Sequence, residues 1–216
     1  MHSKKATKLE EIYREIFFCR KCPKIIPSEA SRRIVESTIN SNIFMMAQAP
    51  SEHGIRESGL HWVDKDGNLL KSGRYLDKYL VEIGYSIDPN LQRPYTSNVL
   101  HCWTGKRGKW DRPPERYELL NCMPWWNNEI DIINPKIIIL LGEKAVKSLK
   151  IINIEKYDFA YLLNRQGEEI KIGNKYLIRF VLPHPSAPYK EKELPNRTKS
   201  EIYKQVFSQI KDILKR

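Results

Sequence analysis

Four short apolar runs, rich in β-branched residues, alternate along this chain with longer patterns of helical period, and this alternation limits the folds it can adopt. Each run has the length of a strand and lacks a polar face, which is typical of strands buried on both sides. We therefore predict an α/β fold: a three-layer sandwich in which helices flank a central, mostly parallel, four-stranded sheet. The predicted strands are residues 42–47, 95–100, 136–141 and 176–182.

Apolar residues at helical spacing fill the intervals between these strands. The predicted helices are an N-terminal amphipathic helix and residues 73–83, 116–133, 143–149 and 199–214. Charged residues interrupt the apolar positions of the N-terminal helix, which argues against a signal peptide, and no segment reaches the length of a membrane span. We expect one domain over residues 1–216, in a cytoplasmic protein with no membrane partner. A monomer is expected because nothing in the sequence indicates an interface.

The charge of the chain indicates the kind of partner. The sequence contains 37 Lys and Arg against 26 Asp and Glu, a formal net charge of +11, and the basic residues are spread from Lys4 to Arg216. Such a balance favours a polyanionic partner, either a nucleic acid or an anionic surface.

Polar residues follow three of the predicted strands at the point where each strand ends. Gln48 follows the first strand, Asn98 lies near the end of the second, and His184 follows the fourth. Ligands of open α/β sheets bind beyond the carboxyl ends of the strands, so these side chains can face one pocket. Each of them alone is equally an ordinary loop residue.

His184 stands between two prolines in the segment VLPHPSAPYK. Proline fixes φ and removes a backbone donor, so the chain there can neither continue as sheet nor turn into helix. The pattern predicts an imidazole that is held rigidly at the sheet edge.

The four cysteines require an explanation other than disulfides if the protein is intracellular. Cys19 and Cys22 form a C-x-x-C pair, and two residues between the sulfurs let both reach one metal group. Cys102 and Cys122 lie far downstream and do not form a second tight pair. The spacing therefore favours a metal site clamped across distant segments, either zinc or iron–sulfur, over four unrelated buried thiols.

Several motifs together resemble the uracil-DNA glycosylase superfamily, in its iron–sulfur families 4 and 5 and closest to family 5. The similar segments are QAPSEHGIRESG, SGRYLDKYLVEIG, YTSNVLHCW, NCMPWWNNEIDIINPKIIILLGEKAV and HPS. They run from Cys19 to about Ser186. The resemblance implies that Cys19, Cys22, Cys102 and Cys122 hold a [4Fe–4S] cluster, which ties an N-terminal arm, residues 1–30, to the rest of the domain.

The resemblance also implies roles for the residues at the strand ends. His184 would donate a hydrogen bond to uracil O2 and Asn98 would pair with the Watson–Crick edge, since an amide offers one donor and one acceptor. Trp62 stands where the family has the aromatic residue that stacks on the base, although a core tryptophan explains it too. Gln48 would line the base pocket.

The chain departs from the family pattern at its carboxylates. Family 4 has a glutamate where this chain has Gln48, and family 5 has an aspartate in a loop that is longer here. We assign the activation of water to Asp64, with Asp66 as the alternative. Both aspartates also suit a solvated turn, because KDGN is a hairpin signal.

Two further segments are candidates for contact with nucleic acid. By resemblance, Ser186 would contact phosphate, and Tyr189, in the loop 187–192, would fill the gap left by a flipped nucleotide. The segment WTGKRGKWDR contains Lys106 and Arg107 among two tryptophans, and such a mixture suits single-stranded or distorted nucleic acid. A flexible basic loop explains this segment equally well.

The leading hypothesis is a monofunctional glycosylase that hydrolyses the N-glycosidic bond of uracil, and of other deaminated bases, in DNA to start base excision repair. Such an enzyme would be nucleoid-associated. The alternative is a catalytically weak or inactive iron–sulfur protein of the same fold that binds DNA, and a zinc-stabilised nucleic-acid-binding module is a more distant one.

Overall fold

A computed structural model describes residues 3–22, 26–27, 35–50, 55–186 and 197–215 of the chain. The strands are β1 Ile26–Pro27, β2 Ile43–Ala47, β3 Tyr95–Asn98, β4 Cys102–Trp103, β5 Lys106–Arg107, β6 Trp110–Asp111, β7 Ile137–Leu141, β8 Glu168–Ile172 and β9 Lys175–Leu182. The helices are α1 Lys4–Phe18, α2 Glu36–Ile39, α3 Ile55–Ser58, α4 Lys71–Leu80, α5 Arg116–Ile133, α6 Glu143–Ile151, α7 Phe159–Leu162 and α8 Lys199–Leu214.

A five-stranded sheet in the order β3-β2-β7-β9-β8 forms the centre of the fold. The first four strands in this order pair in parallel, and every residue of β2 and β7 is buried. The predicted α/β class and the mostly parallel sheet are confirmed. The carboxyl ends of all four parallel strands consequently lie at the same edge of the sheet.

The sheet has one strand more than the four that the sequence predicted. Strand β8 pairs antiparallel with the outer side of β9. Its sequence, EEIKI, buries only Ile170 and Ile172, and its other side chains are charged. Strand β8 was not predicted because an edge strand with one solvent-exposed face lacks the continuous apolar run that identified the buried strands.

Two groups of helices flank the sheet. Helix α5 packs against α1, α6 and β3, and α6 packs against β2 and β7, whereas α4 packs against α8, which covers β9. Tyr75 and Tyr79 of α4 interlock with Tyr203 and Phe207 of α8, with ring centroids 5.0 to 6.1 Å apart. This aromatic contact fixes α8 close to the end of β9.

The long helix α5 begins and ends where the sequence predicted. A capping box forms at its start, because the Glu115 side chain accepts from the backbone of Glu118 while the Glu118 side chain accepts from the N–H of Glu115. The helix ends at Asn134, which adopts the left-handed conformation with φ of 56°. Such end signals are local, which is why the sequence predicts this helix well.

Helix α1 is part of the hydrophobic core. Its residues Leu9 and Ile16 are buried, and the Tyr13 hydroxyl lies 2.5 Å from that of Tyr95 in β3. The short strand β1 then pairs antiparallel with β4. The N-terminal segment is thereby joined to the rest of the fold at two places, the edge strand β3 and the separate strand β4. None of the helices in the described residues is long and apolar enough to cross a membrane.

Candidate functional site

A polar residue or a glycine lies at or just after the carboxyl end of each of the four parallel strands, and these ends share one edge of the sheet. Asn98 is the last residue of β3, Gln48 directly follows β2, Gly142 directly follows β7, and His184 lies two residues beyond β9. The structure thus brings the three residues predicted from the strand ends to the same edge. Asn98 and His184 come from strands separated by β2 and β7, so any ligand that both contact lies across the ends of these two central strands.

Gly142 allows the His184 side chain to approach the end of β7. A Cβ atom at Gly142 would lie 2.9 Å from His184 Cβ, closer than real Cβ atoms approach a neighbour. The Gly142 N–H also donates to the carbonyl oxygen of Leu182, at 2.7 Å. With φ of 85° and ψ of 159°, the backbone there is open to glycine alone. A glycine is therefore required at this position.

The ring of His184 is hydrogen-bonded to the residue two positions later. The Ser186 N–H donates to His184 Nδ1 at 3.3 Å, and the Ser186 hydroxyl lies 2.9 Å from the same nitrogen. Because a backbone N–H can only donate, Nδ1 is the acceptor, and the proton of the neutral ring is on Nε2. His184 is therefore prepared to donate a hydrogen bond through Nε2.

His184 is neutral at physiological pH. Part of the side chain reaches solvent, yet protein surrounds the ring closely enough that burial is the largest cause of a pKa lowered to about 4. The positive charges of Lys199 and Lys144 lower this pKa further. An imidazole with this pKa remains a neutral donor throughout the physiological range.

Helix α8 holds the backbone on both sides of His184. The Tyr203 hydroxyl donates to the carbonyl oxygen of Pro183 at 2.6 Å, and Lys199 Nζ donates to the carbonyl oxygen of Pro185. Lys199 also lies over the ring of Tyr75, 4.5 Å from its centroid. Neither Lys199 nor Tyr203 was predicted from the sequence as a site residue. Their spacing of one helical turn on a predicted helix is the signal that would have indicated a shared face.

Asn98 is buried, with 1% of its surface exposed, and its amide contacts a histidine that the sequence analysis did not single out. Asn98 Nδ2 lies 3.1 Å from Nε2 of His61. His61 immediately precedes Trp62, and no periodicity or motif distinguishes it. Only the fold brings these two side chains together.

Trp62 adopts a left-handed backbone conformation, with φ of 60°, which is unusual for a bulky residue. Its carbonyl oxygen accepts from the N–H of Leu70 at 2.8 Å. Gly73 of α4 makes the close packing possible, because a Cβ there would lie 2.8 Å from that oxygen. The Trp62 side chain is partly exposed and packs against the core. An unusual conformation that its surroundings hold in this way is typical of a functional position.

The Asp64 carboxylate closes a tight turn. Asp64 Oδ1 accepts from the N–H groups of Asp66 and Asn68, at 2.9 and 2.8 Å. These bonds, that of Asn68 first, hold the pKa of Asp64 below its usual value. Asp66 is exposed. The turn geometry agrees with the second interpretation of KDGN, a hairpin turn, and Gly67 supplies its positive φ of 87°.

Gln48 is directed toward helix α6. Its Nε2 donates to the hydroxyl of Ser148, which is buried, at 3.4 Å. The backbone carbonyl oxygen of Gln48 accepts from the N–H of Leu100 at 2.9 Å, which extends the contact between the chain segments that follow β2 and β3. Gln48 thus links the segments that follow β2 and β3 to helix α6.

The four cysteines approach one another near the start of β4. The pKa of the Cys122 thiol is raised well above its ordinary value, first by a hydrogen bond with Cys102 and then by burial. Burial raises the pKa of Cys22, and the nearby Cys122 and Cys19 raise it further. Four thiols from α5, β4 and the segment after α1 therefore share one neighbourhood.

This neighbourhood fits an iron–sulfur cluster by its donor set. Asn121 links the segments, since its Nδ2 donates to the carbonyl oxygen of Lys21 and to Cys22 Sγ, each at 3.4 Å. In the part of the chain that the structure describes, no three His, Cys, Asp or Glu side chains are close enough to hold a single metal ion. Each cysteine of a [4Fe–4S] cluster binds a different iron atom, so cluster ligands stand farther apart than ligands of one ion.

The basic segment between two of the cysteines forms a small hairpin. Strands β5 and β6 pair antiparallel, with Lys106 opposite Asp111, and the side chains of Lys106 and Arg107 are exposed. Ser186 is exposed beside His184. Tyr189, with the loop 187–192, lies outside the described residues.

Comparison with known proteins agrees with the motifs. The family model of the Uracil DNA glycosylase superfamily matches residues 35–207. A Type-4 uracil-DNA glycosylase of Sulfurisphaera tokodaii is 26% identical over 207 residues, which cover 95% of this chain and 84% of the relative. A Type-4 uracil-DNA glycosylase of Archaeoglobus fulgidus is 24% identical over 207 residues, which cover 91% of this chain and 90% of the relative.

Both relatives bear the type-4 name, whereas the motifs indicated a closer resemblance to family 5. The superfamily and its iron–sulfur branches are as predicted, and the choice between the two branches stays a prediction. Because the family model spans most of the sequence, from before β2 into α8, the chain belongs to the uracil-DNA glycosylase superfamily.

Proposed function

We propose that this protein is a monofunctional DNA glycosylase that hydrolyses the N-glycosidic bond of uracil in DNA and so starts base excision repair. Family membership and the names of the two relatives support the activity. The observation that carries the proposal is the neutral His184, which keeps its proton on Nε2 at the edge where Asn98 also lies.

A glycosylase acts on a nucleotide that is turned out of the base stack, because the glycosidic bond is not accessible within the duplex. The net charge of +11 suits a DNA partner. We assign phosphate contacts to Ser186 and to the exposed pair Lys106 and Arg107. Tyr189 is our candidate for the residue that fills the gap left by the flipped nucleotide.

His184 would stabilise the departing base. Cleavage of the bond to uracil places negative charge on the base, and O2 carries part of it. A donor held in place before this charge develops needs little reorganisation, and losing such a donor typically costs about 3 to 4 kcal/mol of transition-state stabilisation. The contacts of Pro183 and Pro185 with α8 supply this rigidity.

Asn98, Trp62 and Gln48 would form the base pocket. The amide of Asn98 would pair with O4 and N3–H of uracil, and the indole of Trp62 would stack on the ring. Gln48, which bonds to Ser148, would close the side of the pocket next to α6.

Asp64 is our candidate for activating water, with Asp66 as the alternative. A change to asparagine tests Asp64 without opening its turn, because Asn Oδ1 can still accept the two N–H bonds. Since the reaction is dissociative, it demands little of its nucleophile, and we expect Asp64→Asn to lower the rate less than His184→Ala does.

We assign a [4Fe–4S] cluster to Cys19, Cys22, Cys102 and Cys122. Bound there, the cluster would act as a structural link between the N-terminal arm, β4 and α5. The pKa of Cys22 is raised first by burial and further by the nearby Cys122 and Cys19, and that of Cys122 is raised first by its hydrogen bond with Cys102. We also propose that residues 1–216 form one monomeric domain, since the hydrophobic core includes residues from α1 through α8, and that the protein resides with the DNA of the cell nucleoid.

The test is single-turnover cleavage of labelled oligonucleotides that contain uracil opposite guanine, uracil opposite adenine, uracil in a single strand, or hypoxanthine. The wild type should leave alkali-labile sites at uracil, and both His184→Ala and Asn98→Ala should lower the rate by about 100-fold or more. If the wild type binds DNA but cleaves no substrate, the protein is instead an inactive DNA-binding member of the superfamily. Gln48, in place of a glutamate, and the turn role of Asp64 are the observations that would favour that second function.

A further inference from the structure

Lys199 is held against the turn that carries His184. It is the first residue of α8, and its Nζ donates to the carbonyl oxygen of Pro185, the residue next to His184. The same Nζ lies 4.5 Å from the centroid of the Tyr75 ring, and Lys199 is partly buried. These contacts fix the position of the ammonium group beside the turn.

Both contacts favour the charged form of Lys199. A carbonyl oxygen and the face of an aromatic ring each attract a cation. Burial lowers the pKa of Lys199 from its ordinary value of 10.5, and the two contacts oppose this effect. Tyr75 does not offset the charge, because burial, and after it a hydrogen bond with Tyr79, raises the pKa of its phenol. At physiological pH an ammonium ion therefore lies on a neutral ring.

The charge of Lys199 acts on the ring of His184. Burial is the largest cause of the lowered pKa of His184, the charge of Lys199 is the next, and that of Lys144 follows. A potential that disfavours a proton on the ring favours an electron pair on an atom beside the ring, because both effects come from the same field. The start of α6, which lies beside His184 at Gly142, adds to this positive potential. The surroundings of His184 therefore suit a neighbouring anion.

We propose that Lys199 supplies a fixed positive charge that stabilises the anion of the departing base, in addition to the hydrogen bond that His184 donates. This inference rests on the proposed function. When the glycosidic bond breaks, its electron pair stays on the base, while water adds to C1′ of the sugar and gives up one proton. Because His184 would contact the base and not the sugar, a cation next to His184 acts mainly on the base, where the negative charge develops.

The charge of Lys199 should affect the reaction more than that of Lys144. Lys144 is the second residue of α6 and is exposed, so water and salt screen its charge. Lys199 is partly buried and bonded to the turn. Lys144→Met is therefore a matched control, because it removes one positive charge that acts on the same ring but is not held against the turn.

The size of the effect follows from Coulomb's law. A unit charge about 8 Å from a full negative charge, at an effective dielectric constant of about 20, changes a rate constant about 30-fold. Only part of the negative charge has developed in the transition state, and solvent screens a partly exposed lysine. We therefore expect Lys199→Met to lower the rate about fivefold to tenfold, and Lys199→Arg, which keeps the charge, to stay within about threefold of the wild type.

The experiment is a double-mutant cycle with His184. Single-turnover rate constants on uracil-containing single-stranded DNA are measured at saturating protein, so that differences in DNA affinity do not enter. If Lys199 acts on the base through its charge, Lys199→Met still lowers the rate about fivefold to tenfold when His184 is already alanine. If Lys199 only holds His184 in place, its removal changes nothing in that background, and the proposal is overturned. A Lys199→Arg variant as slow as Lys199→Met, or an equal loss in Lys144→Met, overturns it too.

A second readout does not depend on activity. ¹H–¹⁵N NMR of the labelled protein at decreasing pH, with the His184 signals assigned by their loss in His184→Ala, reports where the ring takes up its proton. Protonation should begin at a higher pH in Lys199→Met than in the wild type and in Lys199→Arg. The same pH in all three proteins would show that the charge of Lys199 does not act on the ring.

The outcomes separate this inference from the proposed function. A wild type that cleaves uracil, with Lys199→Met equally fast or with its effect lost in the His184→Ala background, overturns the role of Lys199 and leaves the glycosylase activity intact. A wild type that cleaves no uracil refutes the proposed function, and the stabilisation of the departing base falls with it. The NMR result then still decides whether the charge of Lys199 acts on His184.

Discussion

Replacing Gly142 by alanine should displace His184 without touching the DNA or the base. The new Cβ would lie 2.9 Å from His184 Cβ, where ordinary contacts begin at about 3.4 Å, so one of the two must move by about 0.5 Å or more. Misplacement of a catalytic group by 1 Å can cost about 100-fold in rate, and we therefore expect the single-turnover rate on uracil-containing DNA to fall about tenfold to 100-fold.

Gly84→Ala provides the control for the backbone strain. Gly84 also has a positive φ, 80°, but no atom lies within 4 Å of the Cβ that alanine would add there. Both variants should unfold at lower temperature than the wild type, Gly142→Ala more so, because the combination of φ 85° and ψ 159° at Gly142 is open to glycine alone. Rates are measured well below both unfolding temperatures. If Gly142→Ala loses no more activity than Gly84→Ala, the close contact with His184 does not position the catalytic ring.

Three further results are expected. Tyr203→Phe removes the donor to the Pro183 carbonyl, which should lower the free energy of unfolding by about 1 to 3 kcal/mol in chemical denaturation and reduce the cleavage rate severalfold. An unchanged rate would mean that this hydrogen bond does not position His184. Cys122→Ala should abolish the visible absorbance of anaerobically purified protein and make the N-terminal arm easier to cleave in limited proteolysis, whereas a retained spectrum would exclude Cys122 as a ligand. Because the His184 pKa is about 4 in the fold and near 6.5 in the unfolded chain, the unfolded state binds the proton first as the pH falls from 6.5 to 4. The wild type should lose up to about 3 kcal/mol of stability over that range relative to His184→Gln, and equal pH dependence of the two proteins would contradict the lowered pKa.

The elements that the sequence predicted well are those that local signals determine. The buried strands β2 and β7 are continuous apolar runs, and α5 carries its own capping box and left-handed terminator. Strand β8 was missed because its contribution to the sheet is visible only once β9 lies beside it. The predicted second strand extended to residue 100, yet β3 ends at Asn98. The N–H groups of Val99 and Leu100 still donate to the carbonyl oxygens of Ala47, the last residue of β2, and of Gln48.

The residues of the candidate site fall into the same two groups, those that the sequence indicates and those that only the fold reveals. His184 and Asn98 could be proposed because strand ends of a parallel sheet converge, a rule that needs only the order of the elements. His61, Lys199 and Tyr203 could not, because each acts through a contact with a residue more than ten positions away. The role of Asp64 stays a prediction, and the bonds that its carboxylate oxygen accepts from the backbone of its own turn are visible only in the fold.

The pH dependence of the single-turnover rate on uracil-containing single-stranded DNA shows whether His184 acts as a neutral hydrogen-bond donor. With a pKa of about 4, the ring stays neutral as the pH falls from about 7.5 to 5.5, so the rate constant should stay level over this range and decline only toward pH 4. His184→Asn, which has a neutral donor that does not titrate, should be slower and lack that decline. A wild-type rate that instead changes with an apparent pKa near 6.5, and no longer does so in His184→Asn, would show that the imidazole titrates in the working range and would contradict the account.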